Sequence, residues 1–301
     1  MPLCKGKTMA RSRLAKRQAA WGILFVLPAF GGLLLFKVIP IMFATLVSFA
    51  DYSTTRGFNS FVGFGNYKFL MADPVFYKSV MITVFFALIL TLIQISIALF
   101  IAVLVKEPSK LNNAFRVIFF LPVVISMSIT CIIWWIMYAD WGLINSILSS
   151  AGIPRQQFLE SPTWALWAII IMLTWKGIGY WMIIYVAGLN NIPQSLYEAS
   201  AIDGATRFQQ FIHVTLPLLK RVIAFVVVAD TTINFLIFAP SYIMTNGGPQ
   251  GSTTLLAFYA YMNAFVYNDL GYASTISVVL LVLVAVIVAI QFRLLRASHE
   301  Y

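Results

Sequence analysis

Charge is what this chain has least of. Only 10% of its 301 residues are Asp, Glu, Lys or Arg, against 61% that are hydrophobic, whereas soluble domains carry roughly 25% charged residues. That excludes a surface solvated on all sides and makes the chain a polytopic membrane protein. Acids are rarer than bases, ten against twenty, for a net charge of +10. The Lys and Arg sit at the ends of apolar runs rather than in one patch, which argues against nucleic acid as a partner. The two histidines, His213 and His299, have no companion ligands nearby. Neither a metal site nor a Ser-His-Asp constellation can be assembled, and no catalytic residue is assigned. The two cysteines, Cys4 in a basic tail and Cys131 inside an apolar run, would fall on different sides of the hydrocarbon boundary, so no disulfide is expected. Gly6-Lys7-Thr8 has the ending of a phosphate-binding loop, but Met1 stands where that loop needs its first Gly. The chain therefore has no ATP site and binds no cofactor of its own.

What is present is a series of six long apolar runs, at about 21–49, 79–105, 114–138, 163–189, 218–241 and 272–292. Each is near the roughly 20 residues a bilayer needs, so the expected fold is an all-α membrane protein with about six transmembrane helices. Residues 1–20 carry six bases and no acid and read as a cytoplasmic tail. Ser48-Phe49-Ala50 has the small-residue spacing of a signal-peptide cleavage site, but the apolar run before it is too long for one, so it reads as an anchor. An even number of spans returns the C-terminus to the cytoplasm. The charges agree: fourteen Lys and Arg fall on the segments so placed inside, among them Lys106, Lys110, Arg116, Arg207, Lys220 and Arg221. Only Arg56, Lys68, Lys78 and Arg155 fall outside. The outer loops, about 51–78, 139–162 and 242–271, are too short for independent domains and can only dock something or cap a vestibule.

The segment 190–217 is the one long polar island in the second half of the chain. Pro193 suits a first helical turn, Ser195 and Glu198 have capping-box spacing, and Gly204 supplies a break. Thr206 and Gln209 repeat the capping-box spacing, so a second short helix is expected to run until Pro217 stops it. Two short amphipathic helices at an angle would form a knob on the cytoplasmic side. Within it, Glu198-Ala199-Ser200, then Gly204, then Val214-Thr215-Leu216-Pro217 resemble the EAA loop of ABC importer permeases. That pattern is Glu-Ala-Ala, Gly four residues after the second Ala, and Ile-x-Leu-Pro ten residues after the Gly. Ser200 and Val214 are conservative departures.

Other phrases resemble the carbohydrate-uptake branch of that family: Phe61-Val62-Gly63 with Asn66-Tyr67, Asp73-Pro74, Asn246-Gly247-Gly248-Pro249, and Thr253-Thr254-Leu255 with Tyr259 and Tyr261. Inside the membrane, Phe119-Phe120-Leu121-Pro122 and Ala187-Gly188-Leu189 before Ile192-Pro193 do so too, with Asn190 where many relatives carry Gln. The resemblance covers nearly the whole chain. It implies the type I importer permease fold over 21–301, in the bacterial inner membrane. Its implied partners are a second permease subunit in a heterodimer, two ATP-binding subunits that use ATP-Mg, and an extracytoplasmic solute-binding protein that delivers a sugar, glycoside or glycerol-phosphate-like solute. ATPase coupling then falls to Glu198, Ala199, Ser200, Asp203, Gly204, Leu216 and Pro217. The same fold could carry an amino acid or an oxyanion, and a six-helix membrane enzyme or channel is the rival from another class.

Ionisable groups inside spans are functional candidates because burying a charge in a bilayer is costly. Lys37, about 24 Å of helix rise past Trp21, can snorkel to the outer interface. Lys176 follows Trp175 mid-span and is flanked by Gly177 and Gly179, which allow close helix approach or a local break; it reads equally well as functional or as half of an internal ion pair. Asp230 and Asn234 are one turn apart on one helix face, which must look at protein or water. Donors and acceptors with aromatic planes suit a path for a hydroxyl-rich solute. Asp230, Asn234, Lys176, Trp175, Trp134 and Trp135 are its candidates, although interfacial or packing roles are as expected for the tryptophans.

Overall fold

The computed structural model describes residues 5–296; Cys4 and His299 lie outside them. Among the described residues, six helices are long and apolar enough to cross a membrane: Ala15–Val47, Pro74–Val105, Met127–Ser150, Ala165–Asn190, Arg207–Phe235 and Leu270–Leu294, here the first to sixth spans. The expected number is met, but several boundaries differ. Helix already begins at Lys5, inside the basic tail. The expected 114–138 run is split into helices Lys110–Val124 and Met127–Tyr138, because Ile125 and Ser126 turn extended. Ser126 then caps the second piece by accepting the Ile129 N–H at 3.3 Å.

Local chemistry fixes where the helices start and how they pass proline. Asp73 caps the second span by accepting the Val75 N–H at 2.8 Å, with Pro74 in the first turn, where its missing N–H costs nothing. The first span contains a π-turn at Leu34–Val38, whose exit bond runs from the Ile39 N–H to the Leu34 carbonyl. The wide turn immediately precedes Pro40 and relieves the clash that the ring would make in a regular α-helix. Lys37 lies in that turn, exposed.

The second and fourth spans form the centre and pack along their length. One cluster joins Phe86 and Leu90 to Ile169 and Met172, and a second joins Ala98 and Ala102 to Met182, Tyr185, Leu219 and Val226. A third lies under the sixth span, around Phe76, Phe235, Leu256 and Ile276. The first span meets this body chiefly through Ile39–Val47, against the sixth. The all-helical expectation misses one feature, an antiparallel hairpin of β1 (Ala50–Ser53) and β2 (Gly57–Phe61) with Ala50 opposite Phe61 and Ser53 opposite Gly57. Asn66 fastens it to the bundle, donating to the Ser48 and Ala50 carbonyls at 3.0 Å each.

The fourth span runs unbroken through Gly177 and Gly179, so these glycines serve close approach and not a helix break. A Cβ on Gly179 would lie 2.0 Å from the Phe119 carbonyl oxygen, a backbone atom that cannot rotate away. Gly179→Ala is therefore expected to lower stability by about 1–3 kcal/mol through overpacking. Gly22→Ala on the first span, where nothing lies within 4 Å, is the control. Thermal unfolding in detergent should separate the two, and equal midpoints would contradict the close packing.

Candidate solute path and coupling knob

Asp230 and Asn234 are both buried on the fifth span, 2% and 3% exposed, and they face the second and fourth spans. The Trp181 indole N–H donates to Asp230 Oδ1 at 2.8 Å. Asp230 Oδ2 is buried with no hydrogen-bond partner. Asn234 Nδ2 donates to Thr91 Oγ1 at 2.9 Å and Gln94 Oε1 at 3.2 Å, and Gln94 Nε2 donates to the Leu173 carbonyl at 2.8 Å. A buried polar group left unpaired costs about 1–3 kcal/mol, so a carboxylate oxygen without a partner, beside a satisfied amide chain, is the anomaly of this site. Asp230 lines a cleft of about 170 Å³ with Gln94, Lys176, Tyr180, Trp181 and Asn234.

Lys176 lines the same cleft but does not form the internal ion pair that the sequence also allowed. Its ammonium donates to the Pro122 carbonyl at 3.2 Å and to that of Ile125. The reason lies in the broken third run: ending a helix at Val124 inside a membrane strands carbonyls with no water to satisfy them. Lys176 supplies the donors, and its positive charge suits a helix C-terminus. The three tryptophan candidates are not in the cleft. Trp134 packs against Trp175, centroids 5.6 Å apart, beside the core, and Trp135 lines a separate recess. The aromatic walls of the cleft are Tyr180 and Trp181, in edge contact at 4.8 Å. Sequence reasoning missed Thr91, Gln94, Tyr180 and Trp181; Gln94, an amide within an apolar run, was the available signal.

At the other end of the fourth span, helix Gln194–Ile202 starts from Pro193, which stands just outside it as the N-cap. The Ser195–Glu198 capping box does not form, since no side chain caps this helix. The Glu198 carboxylate is exposed and has no hydrogen bond or ion pair among the described residues. The helix ends in a Schellman turn: Gly204 has φ +81, its N–H bonds the Ala201 carbonyl at 3.1 Å, and the Ala205 N–H bonds that of Ser200 at 2.9 Å. Asp203 is its exposed C-cap. The Thr206–Gln209 capping box is complete in both directions.

The second knob helix does not stop at Pro217. It passes through a π-turn at Phe211–Thr215, with the Leu216 N–H bonding the Phe211 carbonyl, and continues into the fifth span. As at Pro40, the wide turn makes room for the ring, so the knob and the helix that holds Asp230 are continuous. Three bonds lock the knob's halves: Tyr197 Oη to Thr215 Oγ1 at 3.0 Å, and Gln210 Nε2 to Ser200 Oγ at 3.0 Å and to the Tyr197 carbonyl at 3.1 Å. The hydroxyl of Ser200, where the EAA pattern has Ala, thus takes part in the lock. Ala199 is exposed beside Glu198, and the projecting apolar groups are Ile202 and Phe208, 87% and 70% exposed. His213 is exposed and paired with the Gln209 carbonyl.

On the opposite end, Asp73 also accepts the hydroxyls of Tyr259 and Tyr272. Burial would raise its carboxyl, but these hydroxyls and the Val75 and Phe76 N–H groups outweigh it and hold Asp73 below the ordinary carboxylate range. Burial and this same carboxylate push Tyr259 up to about 12. Since the Asp73 shift is downward, its contribution to stability is present at neutral pH and is lost only as the pH falls through the folded value. Lys78 Nζ donates to the Gln250 carbonyl, tying the Gly248–Pro249 turn to the second span.

Residues 94–298 match the family model "Binding-protein-dependent transport system inner membrane component". The lactose transport system permease protein LacF of Rhizobium radiobacter is 36% identical over 95% of this chain and 97% of its own. The trehalose/maltose transport system permease protein MalF of Thermococcus litoralis is 34% identical over 91% and 92%, and the probable ABC transporter permease protein YesP of Bacillus subtilis 35% over 95% and 93%. A crystal structure of a bacterial ABC transporter that imports the acidic polysaccharide alginate contains a chain of the same fold, with a TM-score of 0.79 at 24% identity over 96% of this chain and 100% of that one. A whole-chain match of this kind, over a body with six apolar helices long enough to cross a membrane, identifies the protein as a member of the binding-protein-dependent ABC importer permeases, a multi-pass membrane subunit and not an enzyme.

Proposed function

We propose that this permease carries a hydroxyl-rich, sugar-like solute (a sugar, glycoside or glycerol-phosphate-like molecule) through the cleft at Asp230, and that the knob from Glu198 to Pro217 couples it to ATP hydrolysis. The observation that carries the reading is the buried Asp230 Oδ2 without a partner, in a cleft where Asn234, Gln94 and Lys176 offer further polar atoms and Tyr180 and Trp181 offer rings. An acceptor without a donor in the resting protein fits a site that a solute hydroxyl completes. The names of the relatives, lactose and trehalose/maltose permeases, point the same way. The fold by itself does not select the solute, since a methionine ABC transporter chain shares it at a TM-score of 0.54.

The reading places both termini and the knob in the cytoplasm and assigns the chain a second permease as heterodimeric partner. Two ATPase subunits using ATP-Mg would grip the knobs, and a binding protein would dock on the outer loops. Exposed Ile202 and Phe208, which flank Gly204, have the apolar character a groove on an ATPase subunit would bury. Orientation is tested with single cysteines in a variant lacking Cys4 and Cys131. Positions in 242–271 should react with a membrane-impermeant thiol reagent from outside, and positions in 194–210 should not. The reverse pattern would sink the orientation and the coupling scheme together.

A further inference from the structure

Trp135 lines a recess quite separate from the Asp230 cleft. The recess measures about 540 Å³, within the usual range of roughly 300–1,000 Å³ for small-molecule pockets, and shares no lining residue with the cleft. It lies where the connection between the third and fourth spans meets the Gly248–Pro249 turn, so chain alternation puts it on the face opposite the knob. Its walls include Trp135, Trp141, Phe158, Asp140 and Glu160. Trp135 is 48% exposed and Trp141 68%. Both carboxylates are exposed and have no hydrogen bond or ion pair among the described residues.

Open indole faces beside unpaired carboxylates define a ligand chemistry. An indole offers a flat apolar face to the C–H side of a sugar ring, and an ionised carboxylate accepts hydrogen bonds but cannot donate one. Such a recess attracts hydroxyl donors and repels phosphate or carboxylate. Asp230 Oδ2, the unpartnered buried polar atom beside the other cleft, is again an acceptor, while the Lys176 ammonium there is engaged by two carbonyls. We infer that the recess is a second solute subsite on the entry side and that the solute is a neutral ring sugar or glycoside, not a phosphorylated or acidic one. This rests on the reading of the chain as a sugar permease.

The test uses the intact transporter. Mass spectrometry of the solute held by its co-purified binding protein gives the solute's charge. Binding of tritiated lactose, maltose, trehalose and that recovered solute is then measured on the complex stripped of binding protein, for wild type, Trp141→Ala and the Asp140→Ala/Glu160→Ala double variant. We expect an uncharged saccharide and a Kd at least fivefold higher in both variants, with the binding-protein concentration for half-maximal ATPase stimulation unchanged. A recovered saccharide that carries phosphate or carboxylate overturns the inference, and so does an unchanged Kd. A shift confined to the binding-protein concentration also overturns it, because the carboxylates would then hold a basic side chain of that protein. Recovery of a solute that is no saccharide removes the sugar reading itself, an outcome distinct from the other three.

Discussion

Gly204→Val is expected to abolish solute-stimulated ATP hydrolysis while leaving membrane insertion and pairing with the second permease intact. Gly204 has φ +81, and a Cβ there would meet nothing within 4 Å. The penalty is therefore backbone strain alone, about 1–3 kcal/mol for a β-branched residue in this region. It is relieved by opening the Schellman turn, which breaks the Gly204–Ala201 and Ala205–Ser200 bonds and swings Phe208 relative to Ile202. The six spans do not depend on that turn. Because Asn tolerates left-handed backbone, Gly204→Asn should keep most of the stimulation, which separates conformation from the mere presence of a side chain. Glu198→Ala should weaken coupling more mildly without unfolding its helix, since Glu198 caps nothing. The measurement is retention of ATPase subunits on purification, then ATPase activity with and without loaded binding protein. Wild-type retention and stimulation in Gly204→Val would show that the knob is not the coupling element.

The sequence made the spans legible because each is a long run with one solvent requirement. The knob was legible through its punctuation: Gly204 and the Thr206–Gln209 box stand where residue chemistry dictates. What stayed hidden depends on distant partners. Nothing near Lys176 in sequence shows that its ammonium caps the carbonyls of Pro122 and Ile125, because the broken helix it serves lies more than fifty residues away. The Ser195–Glu198 spacing suggested a cap, but the chain enters that helix directly from the extended Pro193. Pro217 reads as a stop only if the preceding turn is α-helical; the π-turn at Phe211–Thr215 removes the clash, and local sequence does not distinguish the two. The tryptophans were chosen by type, whereas the cleft is walled by Tyr180 and Trp181 because those face the fifth span.

Asp230→Asn is expected to reduce uptake by roughly 5- to 150-fold while the complex assembles normally. The substitution keeps volume and leaves a carbonyl oxygen to accept the Trp181 N–H, now 2.8 Å from Oδ1. It replaces the unpaired Oδ2 with an NH₂ group and so turns an acceptor into a donor beside the cleft that Asp230 lines. If a solute hydroxyl donates to Oδ2, the variant loses that bond and sets two donors against each other, a loss of about 1–3 kcal/mol, which is the stated range in affinity. A purely structural Asp230 predicts the opposite, because replacing a buried carboxyl that has one unpartnered oxygen in a bilayer-embedded bundle relieves a cost. Thermal stability should then rise with transport unchanged. The two roles separate in proteoliposomes containing the whole importer. A solute-path role gives reduced uptake, unchanged subunit stoichiometry and basal ATPase activity, and a thermal midpoint no lower than wild type. Wild-type uptake together with a raised midpoint would return Asp230 to the scaffold and leave the cleft without the acceptor on which the proposed path rests.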